Sequence, residues 1–193
     1  MDRLTLPLLL GEMPNPKTQR GLPLESLAPR LCEFAGLVPG KDGAYATLLE
    51  NFNVGNAYDE HPWSRPLARG QTHDAILRLK PRVVVCLGRR AADVLDIPLG
   101  SWNWWRKGFV NYAWGAYGEF TSHEFLVAAI PHPSGRCRVY NDLDARERAH
   151  FTLREAQEIA ERISRGERLQ AALLRLRIVR ESRSLSPEAD PVS

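Results

Sequence analysis

The chain has 193 residues, 44% of them hydrophobic and 25% charged, a composition that suits one ordinary globular domain with a sizeable core. A formal net charge of +3 permits nucleic-acid binding without requiring it, and the bases are mostly arginine, the side chain suited to bidentate phosphate contacts. No apolar run approaches membrane-spanning length, no signal-peptide pattern is seen, and Cys32, Cys86 and Cys137 are too widely spaced for a disulfide framework or a metal site, so a cytoplasmic protein without a membrane partner is expected.

Residues 4–10 read as a buried strand, because the apolar run through Leu8-Leu9-Leu10 stops at Gly11, Glu12 and the prolines Pro14 and Pro16. Glycine lets the backbone leave the strand at an unusual angle, and the prolines stiffen the loop beyond it. One carboxylate, Glu12, is thereby held at the carboxyl end of a strand, the edge where open α/β sheets bind ligands. The loop at 13–23 carries Lys17 and Arg20, which can approach a phosphate backbone. Helical spacing over 24–35 aligns Leu27, Leu31, Phe34 and Ala35, and Gly36 closes that helix. Residues 44–49 are predicted as the second strand, leading into Asn51-Phe52-Asn53. Turn formers fill 55–66, so this stretch, with His61 and Trp63, is expected to be a loop near the site mouth. A helix is predicted over 67–79 and ends before Pro81.

The clearest buried strand is 82–88, with its Val83-Val84-Val85 run, and a short helix comes next over 89–95. Beyond it, Ser101-Trp102-Asn103-Trp104-Trp105-Arg106-Lys107 sets three tryptophans beside two bases. At least one tryptophan is expected in the core, and the alternative role is stacking on a nucleobase. Strands are predicted at 109–114 and 124–130, the latter ending in Pro131-His132-Pro133-Ser134-Gly135, a second titratable side chain pinned by prolines at a strand end. Residues 144–165 form an amphipathic pattern with Phe151, Leu153, Ala156, Ile159, Ala160 and Ile163 on its packing face. Gly166 interrupts it, and 169–179 are predicted as one more helix. Residues 181–193 lack periodicity and are expected to be a disordered tail, leaving one domain over 1–180. The alternation of strands and helices predicts a three-layer α/β/α sandwich around a central, mostly parallel sheet.

The two strand-end motifs, in this order, resemble those of the uracil-DNA glycosylase superfamily. Gly11-Glu12-Met13-Pro14 is similar to the Gly-Glu-x-Pro-Gly motif of its thermophile-type branch, and His132-Pro133-Ser134-Gly135 to its His-Pro-Ser motif. Gly21-Leu22-Pro23-Leu24, the segment near Asn51, and Gly88-Arg89-Arg90-Ala91 after the valine strand fall in the matching order, so the resemblance covers roughly 4–141. It implies a uracil-DNA glycosylase-like fold and a monofunctional enzyme that flips a base, hydrolyses its N-glycosidic bond and leaves an abasic site. Glu12 then attracts the cationic sugar and orients water, while His132 donates a hydrogen bond to the departing base. Asn51 or Asn53 matches the asparagine that reads the base edge, with an Asx-turn as the other reading. Lys17, Arg20, Ser134, Gly135, Arg136 and Arg138 are the implied DNA contacts, with Arg136 as the wedge that fills the vacated stack. DNA is the implied partner, and a monomer is expected. No lysine stands at either motif, so no lyase step is expected. The branch's iron–sulfur cluster needs four cysteines where this chain has 3, so no cofactor and no metal is expected.

Three positions depart from the family pattern. Met13 stands where other branches carry the Asp or Asn that handles water, Leu24 where a base-stacking aromatic usually lies, and Asn15 in place of the motif's last glycine. With Met13 and Leu24 at the base, the substrate expected is uracil or a modified pyrimidine, including a hypermodified phage base such as glucosylated hydroxymethylcytosine. The role implied is repair or anti-phage defence. The competing readings are a non-catalytic nucleic-acid-binding relative and a nucleotide- or sugar-processing enzyme. The absence of a Gly-x-x-x-x-Gly-Lys loop counts against ATP or GTP use.

Overall fold

The computed structural model describes residues 6–12, 24–59, 62–99, 103–112, 120–134, 137–172 and 174–175; of 109–112 and 120–122 it describes the backbone. Five strands, β1 (Leu8–Gly11), β2 (Asn53–Asn56), β3 (Val83–Leu87), β4 (Trp105–Tyr112) and β5 (Phe120–Ile130), form one sheet in the order β2-β1-β3-β5-β4. The first four in that order run parallel, and β4 closes one edge as the antiparallel partner of β5.

Apolar residues run without alternation through Leu8-Leu9-Leu10 and Val83-Val84-Val85 because helices cover both faces of a parallel sheet. On one face Leu9, Val83, Val85, Leu126 and Ile130 pack with α1 (Ala28–Ala35), α2 (Gly43–Asn51) and α5 (Leu143–Ser164). On the other, Leu8, Leu10, Val84, Cys86 and Val127 pack with α3 (Arg65–Leu79) and α4 (Arg89–Val94). Burial raises the thiol pKa of Cys86 far above its ordinary value, so it stays a small apolar core side chain. Among the described residues no helix is long and apolar enough to cross a membrane.

The predicted strand at 44–49 is instead the middle of α2, and the second strand is Asn53–Asn56. Alanine and leucine at Ala44, Ala46, Leu48 and Leu49 favour helix, and a turn at the start sets it. There Gly43 N–H donates to the Gly40 carbonyl (3.1 Å), and the Thr47 hydroxyl accepts from Gly40 N–H (2.9 Å) while donating to the Gly43 carbonyl (3.2 Å). The helix predicted over 24–35 divides into a 3-10 turn at Glu25–Leu27, preceded by Leu24 in a left-handed conformation (φ 61°), and α1, which opens with a proline in its first turn.

Two strands are longer than predicted. β4 begins at Trp105 and β5 at Phe120, so part of the tryptophan-rich stretch is strand. Trp104 is the expected core tryptophan: it is buried, and its indole N–H donates to Glu155 Oε2 at 2.9 Å, tying the start of β4 to α5. α5 opens where Asp142 Oδ1 accepts Asp144 N–H at 3.0 Å, then runs back along the sheet and buries Leu153, Ala156, Ile159 and Ala160. Phe151 departs from the predicted packing face and is 44% exposed. Residues 169–172 and 174–175 are helical, and the predicted tail at 181–193 lies outside the described residues.

Candidate active site

The carboxyl ends of β1, β2, β3 and β5 converge on one edge of the sheet. Backbone bonds carry the ladder past the strand ends: Ala57 N–H to Gly11 O (2.8 Å), Tyr58 N–H to Glu12 O (3.2 Å) and Gly88 N–H to Ile130 O (2.9 Å). Side chains set just beyond these strands therefore inherit the rigidity of the sheet.

Gly88 is the gap in which two of those side chains meet. It holds φ 98° and ψ 174°, a region open essentially to glycine alone. A Cβ at this position would lie 2.5 Å from Glu12 Oε1 and 3.1 Å from His132 Cβ. The carboxylate and the histidine thus both border the space that any other residue would fill. Glu12 Oε1 also accepts a hydrogen bond from the Arg90 backbone N–H at 3.2 Å, which orients the acid.

His132 is half-buried, and Ser134 N–H donates to its Nδ1 at 3.2 Å. An accepting Nδ1 puts the proton of the neutral ring on Nε2, leaving that nitrogen as a donor. Burial lowers the His132 pKa below its ordinary value, and the Glu12 carboxylate pushes back toward the charged form with the smaller effect. The residue before it is fixed from beneath. The hydroxyl of buried Tyr140 donates to the Pro131 carbonyl at 2.6 Å, and burial keeps that hydroxyl protonated. The Tyr140 ring packs against Phe34 at 4.7 Å, and the Arg30 guanidinium lies 5.4 Å from each ring centroid.

Gly11 has a similar spatial requirement on the opposite side. A Cβ there would meet Leu24 Cδ2 at 2.5 Å and Asn56 Oδ1 at 3.1 Å. Leu24 therefore lies beside the end of β1 at this edge. Asn51 and Asn53 do not. Asn53 is paired with Leu8 at the amino end of the strands, about 10 Å of strand from the edge that carries Glu12. Its amide donates to the Leu6 carbonyl at 3.3 Å. Asn51 donates to the Thr47 carbonyl at 2.9 Å and accepts from Gln157 at 3.2 Å, joining α2 to α5. The asparagine at the carboxyl edge is Asn56, paired with Gly11 and donating to Asp59 Oδ1 at 3.3 Å. Reading 43–51 as helix would have placed the strand beyond it, with its carboxyl end at Asn56.

Ser134 is half-buried beside His132, and Arg138 is exposed on the 3-10 turn Arg138–Asn141 just beyond. Met13, Lys17, Arg20, Gly135 and Arg136 lie outside the described residues. Two basic residues that sequence reasoning missed stand exposed at this edge, Arg89 and Arg90. The Arg90 guanidinium sits 5.4 Å from the Trp63 ring centroid, and Trp63 meets Tyr58 edge to face at 5.8 Å.

This is an α/β protein whose parallel sheet presents an acid and a neutral, donor-bearing histidine side by side at its carboxyl edge. No protein-family model matches the chain, and no curated protein matches it.

Proposed function

We propose that this chain is a monofunctional DNA glycosylase of the uracil-DNA glycosylase type, acting on uracil or a modified pyrimidine. The observation that carries the reading is the meeting of Glu12 and His132 across Gly88. Cleavage of an N-glycosidic bond builds positive charge on the sugar and negative charge on the leaving base, so it calls for opposite electrostatics on the two sides of one bond. Glu12 supplies the carboxylate that attracts the sugar cation and orients the attacking water. His132, neutral and protonated on Nε2, supplies the donor that the base oxygen needs as its charge grows. Water adds its hydroxyl to the anomeric carbon and its proton ends on the departing base, so no covalent enzyme intermediate is required.

Asn56 offers both a donor and an acceptor next to Leu24 and suits the edge of a flipped base. Leu24 in place of an aromatic plate favours a base other than plain uracil, and glucosylated hydroxymethylcytosine is one candidate. Arg89, Arg90 and Arg138 suit the phosphate backbone.

The test uses labelled DNA duplexes and single strands carrying uracil, a thymine mismatch, hydroxymethylcytosine or its glucosylated form, treated afterwards with alkali to cut abasic sites. Cleavage of one of these is expected, with His132→Ala slower by about 10²–10³-fold, or ~3 kcal/mol. Silence across the panel with DNA still bound would instead favour a binding protein on the same scaffold.

A further inference from the structure

At the opposite, amino edge of the sheet lies a cavity of about 550 Å³. It opens between the C-terminal end of α5, the residues just after that helix, the starts of β3 and β4, and the middle of β5. About 20 Å of strand separates it from the Glu12–His132 pair. Its volume is within the ~300–1,000 Å³ of small-molecule sites.

The walls are chemically divided. Ala160, Ile163 and Leu169 make one side apolar. The other carries Lys80, Arg82, Arg106 and Arg168, with Glu124 and Glu167 among them. Glu124 pairs with Arg106 at 2.5 Å, and Glu167 Oε1 lies 3.4 Å from Arg175 Nε with no hydrogen-bond partner among the described residues. Arg106 is further held by Gln170 Oε1 at 3.2 Å. Lys80, Arg82 and Arg168 form no salt bridge among the described residues, and with Arg106 they set four cations against two acids in the lining, a surplus of positive charge.

The segment bearing two of those charges is built rigidly. Lys80 ends α3 with φ 48° and ψ 45°, a left-handed conformation that costs a side-chain-bearing residue energy. Just behind it, buried His123 holds the Pro81 carbonyl through Nε2 at 2.7 Å, and Arg82 Nη1 reaches the Glu124 carbonyl at 3.4 Å. Three cations placed around a half-apolar cavity by a fixed backbone make a receptor for an anion with an apolar body.

We propose that this cavity binds a small phosphorylated ligand of the nucleoside monophosphate class, with its phosphate against Lys80, Arg82 and Arg168 and its ring on Ile163 and Leu169. The site is independent of the chemistry at the carboxyl edge. A dianionic phosphate satisfies three cations, whereas chloride matches one. The apolar wall distinguishes a nucleotide from free phosphate.

Calorimetric titration of the full chain with AMP, adenosine and inorganic phosphate at constant ionic strength tests it. AMP is expected to bind, with adenosine and phosphate each at least tenfold weaker. Arg168→Glu and Lys80→Gly should each weaken AMP tenfold or more without lowering the melting temperature. Lys80→Gly removes the charge while keeping the left-handed backbone, and so controls for folding. His132→Ala should leave AMP affinity within twofold. The proposal is overturned if AMP gives no heat at millimolar concentration, if free phosphate binds as well as AMP, or if both charge variants bind normally. Loss of AMP binding in His132→Ala would also overturn it, by moving the ligand to the other edge.

Discussion

Gly88→Ala tests the geometry at its tightest point. The added Cβ would lie 2.5 Å from Glu12 Oε1, where ordinary van der Waals contact begins at 3.4 Å, so restoring ordinary contact takes a shift of about 0.9 Å in the carboxylate. It would also press on His132 Cβ at 3.1 Å. Its backbone conformation, at φ 98°, adds a cost of about 1–3 kcal/mol for any residue other than glycine. For a chain of this size that corresponds to a melting temperature lower by roughly 5 °C. A displacement of about 1 Å at a reacting group costs on the order of 10²-fold in rate. Stability is read by urea unfolding, and activity by abasic-site formation on whichever DNA the wild type cleaves. Gly70→Ala is the control, since Gly70 is inside α3 with nothing within 4 Å of its would-be Cβ. That substitution should stabilise by about 0.5–1 kcal/mol. A Gly88→Ala protein with wild-type stability and wild-type rate would refute the claim that Glu12 and His132 meet in the space this glycine leaves.

Asn56→Ala is expected to change the preference among substrate bases with stability nearly unchanged, whereas Asn51→Ala should cost about 1 kcal/mol of stability and leave base preference alone; a cleavage panel beside unfolding curves decides between them. Tyr140→Phe leaves the Pro131 carbonyl without its donor in a buried setting and should destabilise by about 1–3 kcal/mol in urea, and a fully stable variant would contradict the 2.6 Å bond. His123 and His132 both have pKa values lowered, in each case first by burial. The unfolded chain, titrating near the ordinary ~6.5, then binds protons that the native state refuses. Stability should be full above that pH and fall as pH drops below it toward the lowered native values, which unfolding at pH 7.5, 6 and 5 would show. A flat profile would contradict the burial of both rings.

Much of the site was legible because it depends on local backbone chemistry. Gly11-Glu12 and His132-Pro133 each come directly after an apolar run, and a chain that leaves a buried strand through glycine or proline holds the next side chain at the sheet edge. The left-handed backbone of Leu24 was not legible, since leucine rarely adopts that conformation and its packing against Gly11 is a tertiary contact. The base-edge asparagine was misplaced for a different reason. Residues 44–49 mix alanine, threonine and leucine in a run too short for periodicity to separate helix from strand, and that error ended the strand at Leu49 and pointed to Asn51 and Asn53 in place of Asn56.

The amino-acid sequence by itself determined the apolar runs that must be covered on both faces, and hence a parallel sheet, together with the identity of the acid and the histidine at the strand ends. Tertiary structure alone decided that these two side chains share one gap, because their meeting depends on strand order. β3 lies between β1 and β5, so the missing side chain of Gly88 opens toward both Glu12 and His132 at once. Strand order arises from how three layers bury their apolar faces together. It is a property of the whole packed chain, and no local stretch encodes it.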